Sequence, residues 1–320
     1  MQSDGLEIVA FIWVMANHFE MTQGKKYCIV TGAGSGIGKA TALQLVSLGH
    51  TVGLTCRTAE QAKSVAKELI EGTGNRDVFG FSADLSEPGE IIRMGREIGE
   101  KFPVLDVLIN NAGTWYSRRT LNSKGTEMVF AVNHLSYFHL TQLLMNSLLR
   151  SQSGRIVNVG SDSHFSGRMH FNDLSLGSRY HGLRSYSQSK LANVLFTYEF
   201  ARRCPHPHLA VYCLQPGLVS TRIGNKNTNV VHGLAWKLRV KLWGGIGPLD
   251  GAKTSLFLAL DEAAGNQTGL YWDKCAAKKS STASYDRDES KKLWEMSERL
   301  CGISDYFLTA PGSGIEFNSD

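Results

Sequence analysis

The sequence predicts an α/β fold of the Rossmann type: one doubly wound parallel sheet in a single domain, with helices on both faces. Three observations carry this. Short apolar runs alternate with helical patterns of ten or more residues from Lys25 onward. A glycine-rich turn sits between the first such run and the first helix. No internal repeat or proline-rich linker interrupts the alternation.

The elements follow in order. Tyr27 to Thr31 reads as a buried strand, and Ala40, Leu43, Leu45 and Val46 mark the helix after the glycines. Thr51 to Cys56 is the second strand. Ala62, Val65, Ala66 and Leu69 give a helical stripe over Ala59 to Glu71. Val78 to Ala83 is the third strand, Ile91 to Phe102 a helix, and Val104 to Asn110 the fourth strand. Gly125 to Leu149 reads as one long helix, Arg155 to Val159 as a strand, Tyr186 to Arg203 as a helix and Leu209 to Leu214 as a strand. Right-handed crossovers then place a ligand at the C-terminal ends of the strands.

Length and composition agree with one domain plus tails. The chain has 320 residues, 42% hydrophobic and 20% charged, enough for a core of normal size. Residues 1–24 read as an extension, 25–302 as the cofactor-binding domain and 303–320 as a tail. The net charge of +5 is small and its basic residues are dispersed, which argues against a nucleic-acid partner. Six cysteines lack CxxC or metal-ligand spacing, so no metal site is expected. They read as buried thiols of an intracellular, reducing compartment, cytoplasmic or on the cytoplasmic face of a membrane. The apolar run Leu6 to Ala16 is shorter than the ~20 residues that span a bilayer. An interfacial helix and an extra helix packed on the body both fit it.

Chemistry enters with Thr31-Gly32-Ala33-Gly34-Ser35-Gly36-Ile37-Gly38. Glycines let the backbone turn tightly and approach a pyrophosphate, whose charge then sits at the positive end of a helix. At the end of the second strand Arg57 stands where an NAD enzyme carries an acid, and no acid follows until Glu60. A guanidinium there forks onto a 2′-phosphate, with Lys39 as a second source of charge, so NADP(H) is the expected cofactor.

Tyr186 and Lys190 are four residues apart, hence on one helical face. An ammonium ~5 Å from a phenol, at an effective dielectric of ~20, favours the phenolate by about 3 kcal/mol, and desolvation opposes it. Ser161 follows the strand ending at Val159, placing a hydroxyl where it can hold a substrate oxygen. Ser163 is a nearby competitor.

These motifs resemble the short-chain dehydrogenase/reductase family, of the classical type, and within it the retinol dehydrogenase-like branch. The likeness extends from Lys25 to about Gly302. It includes Gly247 to Leu260, Gly269-Leu270-Tyr271 and Lys292 to Glu298. It implies catalytic roles for Ser161, Tyr186, Lys190 and Asn133. It implies cofactor contacts from Gly32, Ser35, Gly36, Ile37, Gly38, Arg57, Asp84, Leu85, Asn110, Asn111, Ala112 and Gly113, and from Tyr186, Lys190, Pro216, Gly217, Val219 and Thr221. The expected activity is hydride transfer between NADP(H) and a small lipophilic carbonyl or alcohol, retinoid or otherwise. A silent NADP(H)-binding sensor or scaffold is the alternative. His134, His139 and His164 read as structural or exposed rather than catalytic.

Two departures stand out. Gly160 replaces the serine usual before the catalytic one, and the short Leu6–Ala16 run replaces a longer anchor. Val230 to Trp243 is a basic amphipathic segment, read either as a lid over the substrate pocket or as a peripheral membrane contact. Homo-oligomerisation is compatible with the family and is left open.

Overall fold

The structure, a computed structural model, describes residues 24–217, 245–265 and 267–307. The expectations for Leu6–Ala16, Val219, Thr221 and Val230–Trp243 lie outside those residues.

The first half alternates as the sequence pattern demands. β1 (Tyr27–Val30) leads into α1 (Gly36–Ser47), and β2 (Thr51–Cys56) into α2 (Ala59–Thr73). β3 (Val78–Ser82) is followed by α3 (Pro88–Lys101) and β4 (Val107–Asn110). α2 shows why the stripe was legible. Thr58 caps its start, Ala62, Val65, Ala66 and Leu69 face the core, and Gly74 ends it with a left-handed φ of 76°.

The segment read as one long helix from Gly125 to Leu149 is broken. Gly125 sits in a turn at φ 76° and Leu121 bridges Glu127. A single turn, α4 (Met128–Phe130), runs into a π-helix (Ala131–Leu135), then α5 (Ser136–Leu143) and α6 (Met145–Leu149). Apolar periodicity continues through the break, so the pattern alone could not reveal it.

β5 (Gly154–Val159), α7 (Gly182–Arg203) and β6 (Leu209–Gln215) complete the core of the fold. α8 (Pro248–Leu260), α9 (Glu262–Gly265), β7 (Leu270–Asp273), β8 (Ala276–Ala277) and α10 (Arg287–Cys301) follow. The sheet order is β3-β2-β1-β4-β5-β6-β7-β8. Every pairing is parallel except β7 with β8.

Both faces are covered. One core layer joins Leu45, Val65, Leu69, Leu256 and Trp272, from α1, α2, α8 and β7. The other joins Met94, Phe138, Phe196, Phe200 and Trp294, from α3, α5, α7 and α10. The chain past Gly302, expected as a tail, adds Tyr306 to this second layer. It is 2% exposed, and its hydroxyl donates to the Phe138 carbonyl at 2.7 Å. Successive strands are added outward from β1 on one side and from β4 on the other, so the crevice at the C-terminal ends of β1 and β4 is where such sheets hold ligands.

Candidate functional site

The glycines after β1 are shaped by close approaches. Gly32 has φ 67°, and a Cβ on it would lie 2.7 Å from the Ala112 Cα. A Cβ on Gly38 would lie 2.3 Å from the Asn111 amide nitrogen and 2.6 Å from the Gly32 carbonyl oxygen. Thr31 completes the joint: its Oγ1 accepts from the backbone N–H of Asn111 at 2.9 Å and of Ala112 at 3.0 Å. The Asn111 side chain donates to the Thr31 carbonyl at 2.8 Å. The two loops at the switch point thus form one unit. α1 opens on exposed Ser35, with no acid in its first turn and, among the described residues, no side chain capping its amides. Free N–H groups at such a helix end suit a phosphate.

Asn110 does not line this crevice. It is fully buried, and its side chain donates to Thr141 at 3.1 Å and Asn158 at 2.9 Å. It braces β4 against α5 and β5 from beneath. Gly113, three residues on, is exposed. Asp84 accepts from the Ser86 N–H at 2.9 Å and hydroxyl at 2.7 Å, closing the turn after β3. Leu85 packs partly into the second core layer.

Arg57 is exposed directly after β2. Lys39 is not beside it in role: its Nζ is paired to both carboxylate oxygens of Glu68, at 2.6 and 2.7 Å. The second positive charge expected from the sequence is therefore already engaged. Pro216 and Gly217 are partly buried past β6, and Gly217 has φ 89°.

Ser161 lies two residues past the end of β5, the strand held between β4 and β6. The loop after it is fixed by His164, which is fully buried. His164 Nε2 accepts from the Ser281 N–H at 3.0 Å, so Nδ1 carries the proton and donates to the Ser161 carbonyl at 2.7 Å. Asp162 is held from both sides, its N–H on the Gln215 side chain at 2.9 Å and its carboxylate on the Tyr271 hydroxyl at 3.0 Å. Ser161 and Ser163 hydroxyls are 3.2 Å apart.

Tyr186 and Lys190 project from the first half of α7 toward this loop. Lys190 is 3% exposed; its Nζ donates to the Val159 carbonyl at 2.8 Å and stands 5.7 Å from the Tyr186 ring centroid. Burial pushes the Tyr186 phenol up to about 12, and the Ser161 hydroxyl acts in the opposite direction. Burial brings the Lys190 ammonium down to about 8. Desolvation thus sets the direction for the phenol, and the opposing contribution comes from Ser161 rather than from the ammonium expected from the sequence.

Asn133 sits in the π-helix and is fully buried. Its side-chain oxygen accepts from the Thr114 N–H at 2.7 Å, and its amide donates to the Thr114 carbonyl at 3.1 Å and to Ser189 at 3.0 Å. It ties the loop after β4 to α7 between Tyr186 and Lys190. Tyr137, one turn on, donates to the Ala112 carbonyl at 2.8 Å, with Lys190 Nζ 5.9 Å from its ring. Sequence reasoning missed Tyr137, Glu127 and the Gln215 and Tyr271 anchors of the Ser161 loop. Only their three-dimensional neighbours distinguish them from ordinary core or surface residues.

A Rossmann-type sheet with a glycine cradle at its switch point defines a nucleotide-binding α/β protein. The sequence matches the short chain dehydrogenase family over residues 26–230, and the chain belongs to this family, in its retinol dehydrogenase-like branch. It is 36% identical to retinol dehydrogenase 11 of Homo sapiens over 278 residues, covering 87% of this chain and 86% of that protein. Retinol dehydrogenase 13 of Homo sapiens is 36% identical over 288 residues, covering 87% and 85%. Among solved structures, an uncharacterized protein from Mycobacterium paratuberculosis aligns with a TM-score of 0.71 at 27% identity, over 89% of this chain and 96% of that one. The protein is an oxidoreductase of this family.

Proposed function

We propose that the protein transfers a hydride between NADP(H) and a small lipophilic aldehyde or ketone, or the corresponding alcohol, with Tyr186 as the proton donor and acceptor. The convergence of Ser161, Tyr186 and Lys190 at the end of β5, beside the crevice of the glycine cradle, carries this reading.

The crevice fits a pyrophosphate dinucleotide. Gly32 and Gly38 leave no room for a side chain, and the open amides of α1 face the place where phosphates would bind. Exposed Arg57 supports a 2′-phosphate, and Glu60 is drawn instead to its own helix start and Thr58. When bound, NADPH supplies the hydride. Gly113, Pro216 and Gly217 would border its nicotinamide end, with Lys190 on the ribose.

In reduction, the Ser161 hydroxyl holds the carbonyl oxygen. Tyr186, protonated at neutral pH, delivers its proton to that oxygen as the carbon accepts the hydride. The phenolate left behind is stabilised by the Lys190 ammonium and then reprotonated from solvent. Asn133 holds the frame through Thr114 and Ser189. Exposed Phe165 and Leu183, four residues past Ser161 and three before Tyr186, give the surroundings an apolar surface that supports a lipophilic substrate. The retinol dehydrogenases named above make retinoids one candidate within that class.

The test is NADPH oxidation by purified protein against medium-chain aldehydes, all-trans-retinal and a steroid ketone, with NADH in parallel. Tyr186→Phe should abolish turnover and leave NADPH binding within about 3-fold of wild type. Undiminished turnover in that variant would overturn the assignment.

A further inference from the structure

Glu127 is 1% exposed, and every polar neighbour it has is a donor. It caps α4, with Oε1 accepting from the Val129 N–H at 3.0 Å and Oε2 from the Phe130 N–H at 2.9 Å. A second pair arrives from α7 and the turn before it. The Ser185 hydroxyl donates to Oε2 at 2.8 Å, and the Tyr180 hydroxyl to Oε1 at 3.2 Å. The single proton of the Tyr180 hydroxyl is shared between Oε1 and the Tyr116 carbonyl oxygen, which is 3.0 Å away. Among the described residues no lysine or arginine forms an ion pair with Glu127.

This donor set selects a carboxylate, whose two oxygens only accept. A glutamine here would turn an NH₂ group against one pair of donors. Burial holds the Glu127 carboxyl above the usual carboxylate range, and the Val129 and Phe130 N–H groups with the Ser185 and Tyr180 hydroxyls act against it.

The carboxylate joins three segments that meet at the site. It lies six residues before Asn133, leading into the π-helix. Ser185 immediately precedes Tyr186. Tyr116 follows the loop that carries Ala112 and Gly113. The start of α7 is pressed on that loop, since a Cβ on Gly182 would lie 2.5 Å from the Tyr116 carbonyl oxygen and 2.9 Å from the Trp115 ring.

We propose that Glu127 is a positioning residue for the reaction: its carboxylate fixes the first turn of α7, and with it the Tyr186 phenol, against the Asn133 segment and the loop after β4. The inference rests on Tyr186 as the proton donor. Glu127 acts through the backbone of α7, because its partners are Ser185 and Tyr180 and not Tyr186 itself.

The experiment compares wild type, Glu127→Gln, Glu127→Asp, Ser185→Ala and Tyr186→Phe. It uses NADPH with the best carbonyl substrate, and measures kcat, KM, NADPH affinity by fluorescence and thermal melting. Glu127→Gln should lose about 10–100-fold in kcat with KM and NADPH affinity within about 3-fold, since a displacement of the donor by a fraction of an ångström weakens proton delivery. Ser185→Ala removes one of the four hydrogen bonds and should lose about 3–10-fold in kcat alone. Glu127→Asp, which keeps the charge, should recover most of the loss. Wild-type kcat in a folded Glu127→Gln protein overturns the proposal. If that variant does not fold, Ser185→Ala decides: unchanged kcat, or a parallel loss of NADPH affinity, overturns it. A Tyr186→Phe protein that retains turnover overturns the reading of Tyr186 and the positioning role together. A dead Tyr186→Phe beside unaffected Glu127 and Ser185 variants overturns the positioning role alone.

Discussion

Lys190 stands beside the ring of Tyr186, its Nζ 5.7 Å from the ring centroid and bound to the Val159 carbonyl at 2.8 Å. The two groups are thus tuned mainly by burial, in opposite senses, the phenol to about 12 and the ammonium to about 8. Each is protonated at pH 7. A protonated phenol is the state that carbonyl reduction consumes, and a charged lysine is what stabilises the phenolate formed. The kcat/KM for reduction should therefore be flat from pH 6 to about 7.5 and decline above about 8, as Lys190 loses its proton. Lys190→Arg, whose charge does not titrate in this range, should lower the plateau and remove that decline. An alkaline limb unchanged in Lys190→Arg would assign it to another group.

In the proposed reading Arg57 selects the cofactor without help from Lys39, which is engaged by Glu68. A charge-assisted hydrogen bond contributes about 1.5–3 kcal/mol, or roughly 10–100-fold. Arg57→Ala should raise the Kd for NADPH by about that factor and leave NADH within about 3-fold. Lys39→Ala should change neither cofactor's affinity. Fluorescence titration of both cofactors against both variants decides this, and a Lys39 effect equal to that of Arg57 would contradict the division.

How much of this was legible in the sequence follows from which interactions are local. The α2 stripe of Ala62, Val65, Ala66 and Leu69 is repeated within one helix, so periodicity exposes it. The cradle glycines were legible because close approach of two backbones leaves no other residue type at Gly32 and Gly38. The π-helix at Asn133 was not, because it alters hydrogen bonding and leaves the apolar pattern intact. Asn110 and Asn111 are adjacent in sequence and part company in space, one sealed under the sheet and one locking the glycine turn. Glu127, ahead of the apolar run Met128-Val129-Phe130, reads like any surface acid at a helix start until Ser185, 58 residues on, closes over it.

Four buried histidines, His50, His134, His139 and His164, make stability depend on pH, each lowered mainly by burial. Burial lowers His134 to about 3, and His50 and His139 to about 4, against an unfolded value near 6.5. Between these limits the unfolded chain binds more protons than the folded one, so stability rises with pH there. The stabilisation is complete above pH ~6.5 and is lost as pH falls toward about 4, with a slope of at most about 1.4 kcal/mol per pH unit for each histidine. Urea midpoints between pH 7 and 5, above the carboxylate range, isolate this contribution. His134 lies among Phe130, Phe138 and Phe196, so His134→Phe should fold and flatten the slope by up to one proton. A midpoint independent of pH over this range would refute the assignment.

Gly160 leaves room on the neighbouring strand that a side chain would take up. A Cβ at this position would stand 2.8 Å from the Cys213 Sγ and 2.9 Å from the Leu214 carbonyl oxygen, the acceptor of the Gly160 N–H. The thiol of Cys213 fills the space that a serine side chain would take, directly behind Ser161. Gly160→Ser should therefore destabilise the protein by about 1–3 kcal/mol through overpacking, read as a Tm several degrees lower. Cys213→Ala removes the sulfur and opens a small void. In combination with Gly160→Ser it should recover part of the loss, so the double variant should be more stable than the sum of the two single effects predicts. The carbonyl of Leu214 remains in place, which limits the recovery. Strict additivity in the four melting curves would show that the thiol and residue 160 do not compete for the same space.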